Sequence, residues 1–190
     1  MIQRRLPTQL CGRRWSLDDT GTLELGDARR ADLERIDAEW PSIRPESDVT
    51  RHWQWQELAG DEVETFVLKR DDGCPVAIWV SKKRKPILLE GRLYYRLDNI
   101  EVHPQHRGVR LGRLLGTFLV ALIAQRALEV GAEGMVLVTW QTHADFYRKL
   151  GGRVGAPRGW TVPKDLVPFV FDEATLIRLK EMADEFIAEQ

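Results

Sequence analysis

Between Val102 and Leu115 the chain reads V-H-P-Q-H-R-G-V-R-L-G-R-L-L, an apolar strand that passes through a turn of glycine and arginine straight into an amphipathic helix. That junction has the chemistry of an anion site. The first backbone N–H groups of a helix have no partner within it, and the helix dipole leaves about half a positive charge there. The main chain of Gly108, Val109, Arg110, Leu111, Gly112 and Arg113 can therefore hold a phosphate di-anion. Gly108 and Gly112 allow close approach to the backbone, while Arg107, Arg110 and Arg113 surround the site with positive charge. Neither G-x-x-x-x-G-K-[ST] nor G-x-G-x-x-G occurs, which excludes the phosphate loops of P-loop nucleotidases and of dinucleotide-binding folds.

The elements that must position this junction are legible in the periodicity. Thr22 to Leu25 reads as a short strand, and Asp27 as the cap of a helix carrying Leu33, Ile36 and Trp40 until Pro41 stops it. A second short helix is predicted over Asp48 to Leu58. ETFVLKR, the turn DDGCP and VAIWV form a β-hairpin. Arg92 to Val102 is one further strand, ending before Pro104. From Val109 to Gly131 the apolar residues Leu111, Leu114, Leu115, Phe118, Leu119, Leu122 and Ile123 share one helix face, with Gly131 as C-cap. Met135 to Trp140 reads as a strand covered on both faces, and Thr142 as the cap of a helix running to Leu150. Val167 to Phe171 is a late strand, and Asp172 to Ala188 an amphipathic helix that could cover the sheet or a second copy of the chain. The expected architecture is α/β: a single domain over 1–190, with a mixed central sheet flanked by helices.

Pro104-x-x-Arg107-Gly108-x-Arg110-Leu111-Gly112, preceded by a strand ending Ile100-x-Val102, resembles the acetyl-CoA pyrophosphate motif of the GNAT superfamily of N-acetyltransferases. A second motif, Phe146-Tyr147-Arg148-Lys149-Leu150-Gly151, follows the strand Met135 to Trp140 in the family's order and is similar to F-Y-x-K-L-G-F. The resemblance covers about 60–155, leaving 156–190 for the late strand and last helix. Three positions depart from the pattern. Arg110 stands where the family most often has Gly, Gly152 replaces the final Phe, and the Asn after the fifth strand is missing, with Gln141 or Thr142 as substitutes for one CoA hydrogen bond.

The resemblance implies direct attack of a primary amine on the thioester of acetyl-CoA, with no acyl-enzyme. Backbone N–H groups of Ile100 and Val102 would polarise the acetyl carbonyl and hold the pantetheine as if it were an added strand. Tyr147 would protonate the departing sulfur; a phenol near pKa 10 gives its proton to a thiolate near 8.5 only slightly uphill. Many members carry a carboxylate facing the amine where Asp98 stands. Period 2 places Asp98 with Ile100 and Val102 on one face and Asn99 with Glu101 on the other, an arrangement that a β-bulge could exchange, so Glu101 is the second choice. An Asp near pKa 3.9 is mismatched to an alkylammonium near 10.4 by about 6 units, roughly 9 kcal/mol. Asp98 is thus an ammonium anchor first and a base second.

Composition bounds the alternatives. Of 190 residues 43 % are hydrophobic and 30 % charged, and the net charge of −1 excludes a disordered polyelectrolyte or a polybasic nucleic-acid tail. No apolar run approaches the roughly 18–20 residues of a membrane span, and the amino-terminal charges precede no hydrophobic signal segment, so a cytoplasmic protein is expected. Cys11 and Cys74 read as free thiols, and no metal site is expected, with His103 and His106 as loop histidines. Lys82 to Lys85 reads as a solvated hairpin tip, which disfavours a nucleic-acid partner. Trp40, Trp53 and Trp55 fall where the family builds the acceptor site and could form an aromatic wall. Two functions from different classes follow: an N-acetyltransferase of unspecified amine acceptor, and a non-catalytic acyl-CoA-binding module of the same shape. The last amphipathic helix leaves room for a homodimer.

Overall fold

The computed structural model describes residues 10–16, 22–44, 46, 48, 50, 52–59, 63–81, 86–107 and 110–185, the side chains of 110–114 excepted. Its strands are β1 (Arg14–Ser16), β2 (Thr22–Asp27), β3 (Glu64–Arg70), β4 (Pro75–Ser81), β5 (Ile87–Leu89), β6 (Arg92–Leu97), β7 (Asn99–Val102), β8 (Gly134–Thr139), β9 (Arg153–Val154) and β10 (Val167–Asp172). The helices are α1 (Arg30–Ile43), α2 (Trp55–Leu58), α3 (Arg110–Glu129), α4 (Ala144–Lys149) and α5 (Glu173–Asp184). Two five-stranded sheets result, in the orders β1-β2-β3-β4-β7 and β5-β6-β8-β10-β9.

The single strand expected over Arg92 to Val102 is two strands belonging to different sheets. Its first half, Tyr94 to Leu97, pairs in parallel with Gly134 to Leu137. Its second half, Asn99 to Val102, pairs antiparallel with Val80 to Ala77. The break falls at Asp98, whose N–H reaches the Val80 carbonyl (3.1 Å) although Val80 already faces Asn99, the two-against-one arrangement of a bulge. The chain leaves β8 at this point and follows β4, so β7 and β8 diverge into a cleft.

The main core fills the space between α3, α5 and the two sheets. Leu115, Phe118, Leu119, Leu122 and Ile123 of α3 are fully buried, as their spacing requires, against Met135, Phe169 and Phe171. Gly131 takes φ +76° two residues beyond the end of α3, as a glycine closing a helix does. Arg126 is buried on the same helix, paired with Glu64 and Glu129 and lying 5.8 Å above the Phe66 ring. A second, smaller core joins Leu33, Ile36, Trp40 and Trp55 to Val67, Ile78 and Val80 across the other face of the first sheet.

Several local expectations shift. α1 begins after Arg29, where Asp32 accepts the Arg29 N–H (2.9 Å), and Asp27 ends β2 instead of capping the helix. Pro41 lies inside α1, which runs to Ile43. The Asp37 carboxylate instead caps α2, accepting the N–H groups of Trp55 (2.6 Å) and Gln56 (3.0 Å). The helix expected over Asp48 to Leu58 shrinks to four residues, because Asp48 folds back onto the N–H and hydroxyl of Thr50 (2.8 Å each), a local turn that competes with helix. The helix expected from Thr142 begins at Ala144, after a 3-10 turn over Gln141–His143. The helix expected from Asp172 begins at Glu173, and Asp172 caps it, accepting from the Thr175 N–H (3.0 Å). Gly108, Val109, the basic string 82–85 and the chain end beyond Glu185 lie outside the described residues.

Gly152 has a packing reason. A Cβ there would stand 2.7 Å from the Phe171 ring and 3.0 Å from Phe169, so those two aromatics already occupy the space that a side chain at this position would take. Gly152→Ala is expected to cost about 1–3 kcal/mol through overpacking, read as a lowered urea midpoint at unchanged slope.

Candidate functional site

The cleft is built on the unpaired edge of β7. His103 donates to the Val76 carbonyl (2.8 Å), and alternation along an antiparallel pair then turns Glu101 toward β4 and the main-chain groups of Ile100 and Val102 away from it. Arg107 Nε bonds the Val102 carbonyl (2.9 Å) on that outer side. A cavity of about 370 Å³ opens here, mostly apolar, with Ile100, Glu101 and Val102 on one wall and Gly116 of α3 with Phe146 and Tyr147 of α4 on the other. Asp48, Thr50, Arg107 and His143 complete its rim. A larger hollow of about 490 Å³ lies beside Arg92, Tyr94 and Arg153 of the second sheet and shares no lining residue with the cleft.

Tyr147 projects from α4 into the cleft and is 6 % exposed, its ring packed on Phe146 and Phe169 with centroids 5.1 and 5.7 Å away. Burial pushes its hydroxyl well above the ordinary phenol range, so it is a neutral donor at any physiological pH.

The two carboxylates expected near the amine have different surroundings. Asp98 sits in the bulge with its side chain 6 % exposed, paired to Arg96 (2.6 Å), and it does not line the cavity. Glu101 does, but its oxygens are engaged. Arg44 Nε and Nη2 bind them at 2.8 and 2.7 Å, Trp55 Nε1 at 2.7 Å, and Arg107 Nη2 and the Thr50 hydroxyl complete the shell. Burial raises the Glu101 pKa, against the pull of the Arg44 and Arg107 guanidinium groups.

Arg107 is turned inward, onto Glu101, Asp48 and Val102, and so ties the segment before α3 to the chain after α1. Its positive charge serves this cluster, where the sequence pattern had placed it around a phosphate. Arg110, Leu111, Gly112 and Arg113 occupy the first turn of α3, directly after the cleft strand and the 3-10 turn Pro104–His106. Their N–H groups are the ones an N-terminal helical turn leaves without helical partners. Gln141 and Thr142 are exposed in the turn after β8 and do not line the cavity.

Trp40 and Trp55 are 1 % and 0 % exposed and belong to the smaller core, so neither forms an acceptor wall; Trp53 is half-buried, edge-on to Trp55 at 5.6 Å. His103 lies between Trp40, which it meets edge-on, and His106, and burial with the neighbouring His106 brings its pKa down to about 4. Cys11 and Cys74 are both free thiols. Sequence reasoning missed Arg44, Asp48, Thr50 and His143. The first three lie more than 50 residues from Glu101 or Arg107, with no local pattern to announce the contact; His143 sits beside Gln141 and Thr142 and was legible only as part of that turn.

The site thus joins a diverging strand pair, an open strand edge and the N-terminus of a long helix. The sequence profile of the acetyltransferase (GNAT) family matches residues 31–151, and the chain belongs to that family. Solved structures similar to it include a spermidine N-acetyltransferase chimera from Vibrio cholerae (11 % identity, TM-score 0.58, 82 % of this chain and 98 % of that one). A nucleotide-linked sugar GNAT protein matches with 12 % identity and TM-score 0.60, over 87 % and 95 % of the two chains. The ribosomal-protein-S18-alanine N-acetyltransferase of Escherichia coli matches with 16 % identity and TM-score 0.51, over 79 % and 93 %. At such identities the likeness shows the fold. No curated protein matches the sequence.

Proposed function

We propose that this chain is an acetyl-CoA-dependent N-acetyltransferase that transfers acetyl to a primary amine by direct attack, and that 1–190 forms one such domain. The observation that carries the reading is the open β7 edge: the N–H groups of Ile100 and Val102 face a cleft into which Tyr147 projects. A thioester carbonyl lying along that edge meets an N–H donor where negative charge develops during attack. The pantetheine amides pair with the same edge as an added strand would. The diphosphate meets the main chain from Gly108 through Arg113, of which Arg110 to Arg113 open α3, and Tyr147 protonates the departing sulfur. The rim around Asp48 and His143 receives the amine.

A second reading, an acyl-CoA-binding module without turnover, is favoured by the state of the carboxylates, since Glu101 is saturated and Asp98 is paired away from the cavity. Acceptors named for the structural neighbours are as different as spermidine, a nucleotide-linked sugar and an S18 alanine. No acceptor is carried over from them. The deciding experiment is calorimetry with acetyl-CoA alongside release of free thiol across a broad amine panel. Heat of binding with thiol release is the expected result. Heat without release from any amine supports the module, and no heat at all ends both readings.

A further inference from the structure

We propose that the imidazole of His143 is the group that takes the proton from the acceptor, and that the acceptor is accordingly a weakly basic α-amine and not a polyamine. This rests on the transferase reading above. Among the described residues, five titratable side chains line the cleft: Asp48, Glu101, Arg107, His143 and Tyr147. Four of them are already committed. The Asp48 carboxylate accepts from Thr50 and Arg107, Glu101 from Arg44, Arg107, Trp55 and Thr50, and Tyr147 is a buried neutral phenol. His143 alone combines a place on the cavity wall with an exposed outer side, so a proton accepted inside can leave to solvent.

Its electrostatic setting suits a base. Three influences act on its titration, in order of size: partial burial, which lowers its pKa, Asp48, which opposes, and Arg107, which lowers it further. The net direction is down from the ordinary imidazole value, so His143 is unprotonated and able to accept at neutral pH. Glu101 and Tyr147 are the remaining titratable groups of the cavity, the one neutralised by its guanidinium partners and the other uncharged.

The same setting restricts the acceptor. An α-ammonium group, with pKa of about 7.7–8.0, lies within about two units of a reference imidazole, whereas an alkylammonium near 10.4 lies about four units away. Lowering the imidazole widens both gaps by the same amount and leaves the first the smaller. Charge points the same way. Asp48 and Glu101 are matched by Arg107 and Arg44, so the described rim offers a polycation no net negative charge.

In the step itself His143 takes one proton from the ammonium, and the freed lone pair forms the C–N bond at the acetyl carbon. The C–S bond breaks, and sulfur takes the Tyr147 proton. The nitrogen's second proton replaces the one Tyr147 gave, and a single proton leaves in all, through the exposed imidazole.

The test compares unaltered protein with His143→Gln, using a short lysine-free peptide with a free N-terminus and spermidine as amines. Acetyl-CoA calorimetry accompanies each. The expected result is a kcat/KM at least tenfold higher for the peptide than for spermidine. For His143→Gln we expect about a hundredfold loss of kcat/KM with the heat of acetyl-CoA binding unchanged. The acid limb of the pH profile, set by imidazole protonation, disappears in the variant, a change that a merely structural residue would not produce. Activity of the variant within threefold with the limb intact, or a preference for spermidine, overturns the inference while the transferase stands. Failure of the transferase reading looks different: the unaltered protein then releases no thiol with any amine, whatever residue 143 is.

Discussion

Replacing Glu101 by alanine is expected to lower folding stability by about 3–5 kcal/mol, because it leaves a buried guanidinium without its counter-charge. The Arg44 side chain is 0 % exposed and that of Glu101 1 %, so neither can recover water when its partner is removed. The loss also strands Trp55 Nε1, held by the same carboxylate at 2.7 Å. Urea unfolding at constant pH gives the result as a shift of midpoint at unchanged slope. Glu101→Gln, which keeps the volume and one acceptor, separates the charge from the packing and should fall between the two. A loss under 1 kcal/mol for the alanine variant would mean that water enters the cluster and that the network is not the buried anchor described above. Such a cost also explains why a carboxylate on the cleft strand need not be the base: it joins the end of α1, α2 and the segment carrying Arg107 to β7.

Tyr147→Phe is expected to reduce turnover about 10²–10⁴-fold while acetyl-CoA affinity stays within a factor of two or three. The substitution is clean. The ring keeps its contacts with Phe146 and Phe169, and only the hydroxyl disappears. Burial raises the phenol pKa, which by itself makes proton donation harder, but a thiolate formed in the same desolvated cleft is disfavoured by the same burial, so the gap between donor and acceptor does not widen in step. The sign of the pH effect follows. A raised phenol pKa keeps Tyr147 protonated beyond pH 10, so the unaltered protein should show no fall in rate between pH 8 and 10 from loss of this proton. Single-turnover measurement with acetyl-CoA prebound isolates the chemical step; full activity of the phenylalanine variant there would remove Tyr147 from the mechanism.

The frame was largely legible in the sequence because its signals are local. The period of Leu111 to Ile123 gave α3, the turn DDGCP gave the β3–β4 hairpin, and the run Met135 to Trp140 gave a doubly covered strand, which ends at Thr139. Asp98 shows where locality ends. Arg92 to Val102 carries a continuous strand pattern, and nothing in its composition reports that one half pairs with β8 and the other with β4. The tryptophans show the same limit. Trp40 and Trp55 were readable as aromatic residues near an expected acceptor region, yet which side of the helices meets Val67 and Ile78 depends on tertiary packing. The site divides likewise: Tyr147 and the β7 edge come from contiguous motifs, whereas the Arg44–Glu101 pair spans 57 residues and His143 gains meaning only from the wall it stands in.

The bulge at Asp98 bears on solubility as well as chemistry. An uncovered strand edge is ordinarily a hazard, a template on which another chain can add and grow into an aggregate. Here the exposed rung is recessed between diverging walls, with Phe146 and Tyr147 across from it. A neighbouring sheet could pair with this edge only by displacing those side chains. The walls that leave β7 open onto a cleft thus also guard it against pairing between copies of the molecule.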